Sequence, residues 1–178
     1  MNNDLHARVL DRVTSQFDVA VIQNNLRGLY VELMVAELLG PPWRHNGTDW
    51  AAYDLEHTNG TRLEVKQSAA QQTWAAPSTG RSVRSFSIRV PKIEWVGSKA
   101  TTRNNRVAGI YVFAWHDGLI AQSDQRDPKQ WKFFVVPARL LPNQQTICLG
   151  PLNKLAKPVG ANQLRATVHA LFTEGFMQ

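Results

Sequence analysis

Residues 54–68 read DLEHTNGTRLEVKQS, and this stretch decides the fold that the sequence predicts. Alternating apolar and polar residues at 52–57 and again at 61–68 are typical of β-strands, and the Thr-Asn-Gly between them is typical of a tight turn. The two runs therefore predict a β-hairpin. Its geometry places the charged side chains, because alternate residues of a strand point to opposite faces.

The length of the hairpin loop decides which charged residues share a face. Glu64 and Lys66 are two apart on one strand and point to the same side. A two-residue loop would set Asp54 opposite Val65, away from Glu64. A three-residue loop with Gly60 in the left-handed conformation would set Asp54 opposite Glu64, where the two carboxylates are ready to bind a divalent cation.

The rest of the chain predicts one α/β domain with a mixed sheet. Helices are predicted at 4–16, 25–39 and 161–172, strands at 83–90, 107–115, 119–122, 131–137 and 145–149, and loops at 43–53 and 97–106. The run 107–115 is apolar on both faces, which is typical of a central, buried strand. A length of 178 residues suits a single domain spanning 1–178, with 1–17 as an N-terminal helical arm.

Composition excludes several classes of protein. No apolar run approaches the ~20 residues that a membrane-spanning helix needs, and the first residues lack the apolar block of a secretory signal. The single Cys148 excludes an intramolecular disulfide and a cysteine-rich zinc site, and the five His residues lack metal-ligand spacing. We expect a cytoplasmic protein.

Two acids and a lysine on one strand pair are suited to phosphodiester hydrolysis. Carboxylates hold Mg²⁺, for which Mn²⁺ is the usual substitute, and the ion polarises the phosphate and acidifies a bound water. A neighbouring lysine orients that water or offsets charge on the phosphate oxygens. Glu-x-Lys alone would occur about 0.6 times by chance in a chain of this length. The argument therefore depends on the order of helix, hairpin and buried strand around it.

That order resembles the restriction-endonuclease-like superfamily of PD-(D/E)XK nucleases. Tyr53-Asp54 matches the first acid of the family, and Glu64-Val65-Lys66 matches its second motif. The helix LRGLYVELMVAELLG corresponds to the leading helix of the family and supplies Glu32. Tyr53 stands where the family's nominal motif has Pro, and no further motif follows residue 115.

The resemblance implies a Mg²⁺-dependent endonuclease that acts on DNA, with a mixed central sheet flanked by helices. Asp54, Glu64 and the Val65 carbonyl would hold the metal. Lys66 would act on the attacking water, and Glu32 would steady a second metal or its waters.

The net positive charge of the chain comes from one segment. Residues 81–106 hold seven of the 20 Lys and Arg residues but one of the 14 Asp and Glu residues, so the formal charge of +6 comes from this segment. Clustered arginines among Ser, Thr and Asn suit phosphate contacts. We predict DNA contacts from Arg81, Arg84, Arg89, Lys92, Lys99, Arg103 and Arg106, and from Ser68 on the face of Glu64 and Lys66.

Other interpretations stay open at this point. A catalytically silent nucleic-acid-binding domain of the same fold would need the basic segment but not the two acids and the lysine. An α/β adaptor would use the hairpin as a solvated charged face. Glu37 replaces Glu32 as the helical acid if the helix is rotated. A restriction-type enzyme would be a homodimer, and the helix at 4–16 would then be either a dimer element or a helix packed on the core.

Overall fold

The computed structural model describes residues 3–47, 51–74, 84–90, 93–96, 99–102, 105–118 and 122–173. The helices are α1 (Asn3–Ser15), α2 (Asn24–Leu39), α3 (Leu149–Leu155) and α4 (Ala161–Thr173). The strands are β1 (Trp43–His45), β2 (Leu55–His57), β3 (Arg62–Ala69), β4 (Ser85–Ser87), β5 (Ile93–Val96), β6 (Lys99–Thr102), β7 (Ile110–His116), β8 (Trp131–Pro137) and β9 (Thr146–Cys148).

A mixed five-stranded sheet with the strand order β1-β2-β3-β7-β8 organises the molecule. Strand β3 runs parallel to β7, and the other neighbours are antiparallel. Two small sheets, β4 with β9 and β5 with β6, lie outside it. The predicted class, a mixed α/β sheet flanked by helices, is therefore confirmed.

Helices α2 and α4 cover one face of the sheet. Helix α2 contributes Val31, Val35 and Leu39, which recur every four residues and are at most 1% exposed. The helix stops at Gly40, whose φ of 60° is unfavourable for other residues and whose amide closes the last turn on the Ala36 carbonyl. The sheet residues beneath α2 include Leu63 and Val65 of β3.

The opposite face is covered by β4, β9 and α3. Phe86 of β4 meets Phe113 of β7 edge-on, with ring centroids 5.2 Å apart. Phe113 is aligned with Lys66 in the parallel pairing of β3 and β7, so both side chains point to this face. The face that carries Glu64 and Lys66 therefore has an aromatic core beside its charged edge.

Several predicted boundaries are wrong, mostly where short strands form. The loop predicted at 43–53 contains β1, and the loop predicted at 97–106 contains β6. Pairing with a neighbouring strand, rather than apolar alternation, makes both of these segments extended. The strand predicted at 83–90 shortens to Ser85–Ser87, and most of the strand predicted at 119–122 lies outside the described residues.

Helix α1 stands apart from the body. Its row of apolar side chains is exposed, with Leu5 at 56%, Val9 at 48% and Val13 at 46%. The N-terminal arm at 1–17 stays a prediction. None of the helices in the described part of the chain combines the length and the apolar character needed to cross a bilayer.

Candidate active site

The hairpin has the three-residue loop, one of the two alternatives that the sequence allowed. Gly60 has a φ of 87°, and its amide donates to the His57 carbonyl. The His57 amide in turn donates to the Thr61 carbonyl at 2.8 Å, and Glu56 is aligned with Arg62. If the same register is extended one residue beyond β2, Asp54 lies opposite Glu64.

Asp54 leaves the regular ladder at this point and turns its side chain onto β3. Its backbone amide donates to the Leu63 carbonyl at 3.0 Å. Its carboxylate oxygen Oδ2 accepts a hydrogen bond of 2.6 Å from the Val65 amide. The carboxylate is thereby fixed on the peptide that joins Glu64 to Val65, one residue from Lys66.

Glu64 and Lys66 form an ion pair on the same face of β3. Their side chains are 16% and 30% exposed, so the pair is half-buried but reachable from solvent. Burial acts to lower the pKa of Lys66, but Glu64 and then Asp54 more than offset it, so this pKa lies above its ordinary value. Lys66 is therefore a charged ammonium group at neutral pH.

Glu32 joins the cluster from α2, together with a residue that the sequence did not single out. His45 Nε2 of β1 lies 3.3 Å from Glu32 Oε2, and both side chains are mostly buried. Burial and then the negative charge of Glu32 raise the pKa of Asp54 to about 6, against the opposing effects of the Val65 amide, Lys66 and His45. The four predicted catalytic residues thus act on one another electrostatically. The position of His45 in a predicted loop hid its role.

The acids are not arranged as a complete metal cage. Among the residues that the structure describes, no group of three or more His, Cys, Asp or Glu side chains is placed to hold a metal ion. Asp54 and Glu64 therefore offer at most part of a coordination shell.

The basic segment is only partly described. Arg81, Lys92 and Arg103 lie outside the described residues, and for Lys99 the structure describes the β6 backbone but not the side chain. Arg84 and Arg89 are exposed on either side of β4. Because Phe86 between them packs on the face of Lys66, these arginines belong to the side of the sheet that carries the cluster.

Arg106 and Ser68 have less surface to offer than the sequence suggested. The Arg106 guanidinium donates to the carbonyls of Ile88, Leu141 and Pro142, at 2.8 to 3.4 Å. These bonds tie together loops on the side of the sheet that β4 and β9 cover, which is a structural use of the side chain. Ser68 is on the predicted face but only 8% exposed. Their contact with DNA stays a prediction.

Gly28 lies four residues before Glu32 on the same face of α2, where a missing side chain would let another element approach. The structure does not use this space. A Cβ atom built there meets no heavy atom within 4 Å, so the helix is open to solvent at this point.

Comparisons with known proteins find similarity among solved structures. No family model matches the sequence, and no curated protein sequence matches it. Among solved structures, the chain is similar to the bacterial homing endonuclease I-Ssp6803I, with 14% sequence identity, a TM-score of 0.40, and coverage of 88% of this chain and 95% of that chain. The chemistry of the site therefore has to be argued from its own residues.

Proposed function

We propose that the protein is a Mg²⁺-dependent endonuclease that hydrolyses DNA through a PD-(D/E)XK-type site, with a restriction-type enzyme as one form of this activity. The observation that carries the proposal is the hydrogen bond from the Val65 amide to the Asp54 carboxylate. It brings an acid from before β2 to the strand that carries Glu64 and Lys66. A hairpin with a merely solvated charged face has no need to turn this acid inward.

The donor set suits Mg²⁺ or Mn²⁺. Mg²⁺ prefers hard oxygen ligands, and it commonly takes one or two carboxylates and completes its shell with water and substrate phosphate. Asp54 and Glu64 supply the carboxylates. The Val65 carbonyl points to the same edge of β3 as the Val65 amide, and so toward Asp54. A divalent cation would also supply the positive charge that the buried Asp54 lacks, since its pKa is raised to about 6.

The other residues have separable tasks. The metal, when bound, would polarise the phosphate and lower the pKa of a coordinated water. Lys66 is placed to orient the attacking water and to offset charge on the phosphate oxygens. Glu32, held by His45, would accept hydrogen bonds from water on the α2 side of the site. The exposed Arg84 and Arg89 would contact the DNA backbone without reading its sequence.

A catalytically silent DNA-binding domain is the second candidate. The observation that favours it is the ion pair between Lys66 and Glu64, because this contact occupies one of the proposed metal ligands. In the nuclease proposal Glu64 exchanges this partner for the metal. The two candidates therefore differ in whether a divalent ion displaces Lys66.

Cleavage of plasmid DNA tests the proposal. The wild-type protein is incubated with supercoiled plasmid in MgCl₂, in MnCl₂ and in EDTA, beside Asp54→Asn and Lys66→Met. We expect nicked or linear product with either metal and none in EDTA, and a loss of at least about a hundredfold in each variant. Glu56→Gln is the matched control, because Glu56 lies on the same hairpin but pairs with Arg62.

The outcomes separate the candidates. DNA binding by a wild-type protein that cleaves nothing in either metal would identify the silent domain. Cleavage that survives Lys66→Met would remove the lysine from its proposed role. Unaltered cleavage by Asp54→Asn would show that the chemistry lies elsewhere.

A further inference from the structure

Arg27 occupies a position on α2 where the packing calls for an apolar residue. It lies four residues before Val31, in the buried row that Val35 and Leu39 continue, and its side chain is fully buried. Arginine is rarely buried without a carboxylate partner, because removing the charge from water is costly.

The guanidinium of Arg27 is surrounded by neutral oxygens. Its Nε donates to Gln67 Oε1 at 2.7 Å. Its other bonds go to the side chains of Asn24, Gln72 and Gln125 and to the carbonyl of Ile22. These oxygens satisfy the hydrogens but carry no net charge. Burial lowers the pKa of Arg27 to about 10, with no acid opposing it among the residues that the structure describes.

The cage around Arg27 opens to solvent on the face of β3 opposite to the Lys66 side chain. Asn24 is exposed and Gln67 is half-buried, and Gln67 directly follows Lys66 on β3. We call the surface formed by the side chains of Asn24 and Gln67 the amide rim. The first turn of α2 also starts at this rim and contains no acidic residue. Its backbone dipoles therefore add to the positive potential.

A purely mechanical role explains the hydrogen bonds but not the charge. The cage ties α2 to β3 and to the loop that carries Gln125, and any well-placed donor would serve such a clamp. A carboxylate in place of one amide would serve the same clamp and would also balance the charge, since arginine–carboxylate pairs add an ionic partner and bidentate geometry. The sequence instead leaves the cation without an opposing acid among the residues that the structure describes.

We propose that Arg27 is a buried electrostatic anchor for the DNA backbone, and that a phosphate at the amide rim balances its charge. The proposal deepens the proposed function and rests on it, because it assumes that DNA lies along the edge of β3 from which Lys66 and Gln67 point to opposite faces. The Asn24 amide contacts the phosphate, Gln67 Nε2 donates to Asn24 Oδ1 at 3.2 Å, and the guanidinium stays behind them. Its attraction is screened less than that of an exposed arginine, since its surroundings have a low dielectric constant.

The variant Gln67→Glu separates charge from clamping. The new carboxylate takes the place of Gln67 Oε1, which accepts from Arg27 Nε. It therefore forms an ion pair with the guanidinium and cancels its charge. We expect a higher melting temperature and an affinity for duplex DNA that is lower by about tenfold or more. Binding is measured in EDTA at fixed salt, so that cleavage plays no part. Gln71→Glu is the matched control, because it adds the same charge four residues further along the chain, at a side chain that is not among the hydrogen-bond partners of Arg27; we expect about twofold weaker binding or less.

The result distinguishes this inference from the proposed function. Equal binding by Gln67→Glu and Gln71→Glu, in a wild-type protein that binds and cleaves DNA, would overturn the anchor and leave the nuclease in place. A wild-type protein that binds no duplex DNA would overturn both. A Gln67→Glu protein with unchanged DNA binding and a higher melting temperature would show that Arg27 only stabilises the fold.

A second pair of variants covers the case in which Gln67→Glu does not fold. Arg27→Lys keeps the charge and Arg27→Gln removes it, and both break the planar fork of hydrogen bonds. We expect Arg27→Lys to bind DNA about tenfold more tightly than Arg27→Gln, with a steeper dependence on salt. Equal affinities in these two variants would contradict the anchor.

Discussion

Two cations on opposite sides of β3 show two ways in which this chain treats a buried charge. Lys66 is 30% exposed and pairs with Glu64 on the face that carries the candidate active site. Arg27 is fully buried behind the next residue of the strand, Gln67, and bonds to neutral oxygens. One charge has a partner that can be exchanged, and the other has a fixed cage.

The difference separates chemistry from architecture. The pair of Lys66 and Glu64 can open when a metal or a phosphate arrives, because both groups remain in reach of solvent. The bonds of Arg27 join α2, β3 and the loop around Gln125, so they cannot open without loss of packing. Substitutions on the site face should therefore change catalysis more than stability, and the reverse should hold for Arg27.

The largest expected change in stability comes from Arg27→Met. Methionine fills much of the same volume but leaves the cage oxygens without donors in the interior. We expect the free energy of unfolding to fall by about 3–5 kcal/mol. Urea denaturation followed by tryptophan fluorescence measures this. Arg126→Met is the control, since Arg126 pairs with Asp124 and Asp18 at the surface and should shift the urea midpoint little.

A small effect of Arg27→Met would break the comparison. It would mean that the cage relaxes or admits water, and that the fixed bonds of Arg27 do not hold the elements together. A large effect in Arg126→Met would have the same meaning, because surface pairs would then matter as much as the buried cage.

The next effect is a pH dependence that belongs to Asp54. Its pKa is raised from 3.8 to about 6 in the folded protein, first by burial and then by Glu32. Between these values the folded state binds more protons than the unfolded state, so the contribution of Asp54 to stability is present at pH 4 and is lost as the pH rises through 6. We expect a loss of at most about 3 kcal/mol across this range.

Asp54→Asn should remove this slope. Asparagine can still accept from the Val65 amide but cannot ionise, so the variant should be more stable than the wild type at pH 7 and equal to it near pH 4. Unfolding in EDTA at several pH values gives the difference, with Glu56→Gln as the control. A difference that does not depend on pH would show that Asp54 is not the buried acid of the site.

The comparison also shows how far the sequence determines the site. The hairpin and the shared face of Glu64 and Lys66 follow from a period of two, whereas the sequence left open the loop length that places Asp54, and the left-handed Gly60 decides it in the structure. These are local rules. The inward turn of Asp54 onto Val65 is consistent with them, but it depends on where β2 ends.

The packing of α2 on the opposite face of β3 could not be predicted from such local rules. Helix α2 has apolar residues around its whole circumference, so periodicity does not choose its buried face. The structure buries Val31 and Val35, whereas Leu29 and Leu33 are 43% and 44% exposed. His45 and Arg27 acquire their roles from partners far away in sequence, and no spacing rule indicates such contacts.

The smallest effect on folding is expected in α1, which belongs to neither side of β3. If the enzyme is of restriction type, we expect a homodimer with this helix as a dimer element, and the exposed row of Leu5, Val9 and Val13 suits such an element. The exposed Leu29 and Leu33 form a second apolar row on the same molecule. A two-fold axis can place the α1 row of each protomer on the α2 row of its partner. One interface then covers the four apolar rows of the dimer.

Val9→Glu tests the homodimer without disturbing the two cations. The side chain is 48% exposed, so the urea midpoint measured at low protein concentration should not change. Light scattering should show a dimer for the wild type and a monomer for the variant, whereas Ala7→Glu, on the polar side of the helix, should remain dimeric. A monomeric wild type would contradict the homodimer and would leave the comparison of Lys66 with Arg27 intact, because that comparison depends only on contacts within one chain.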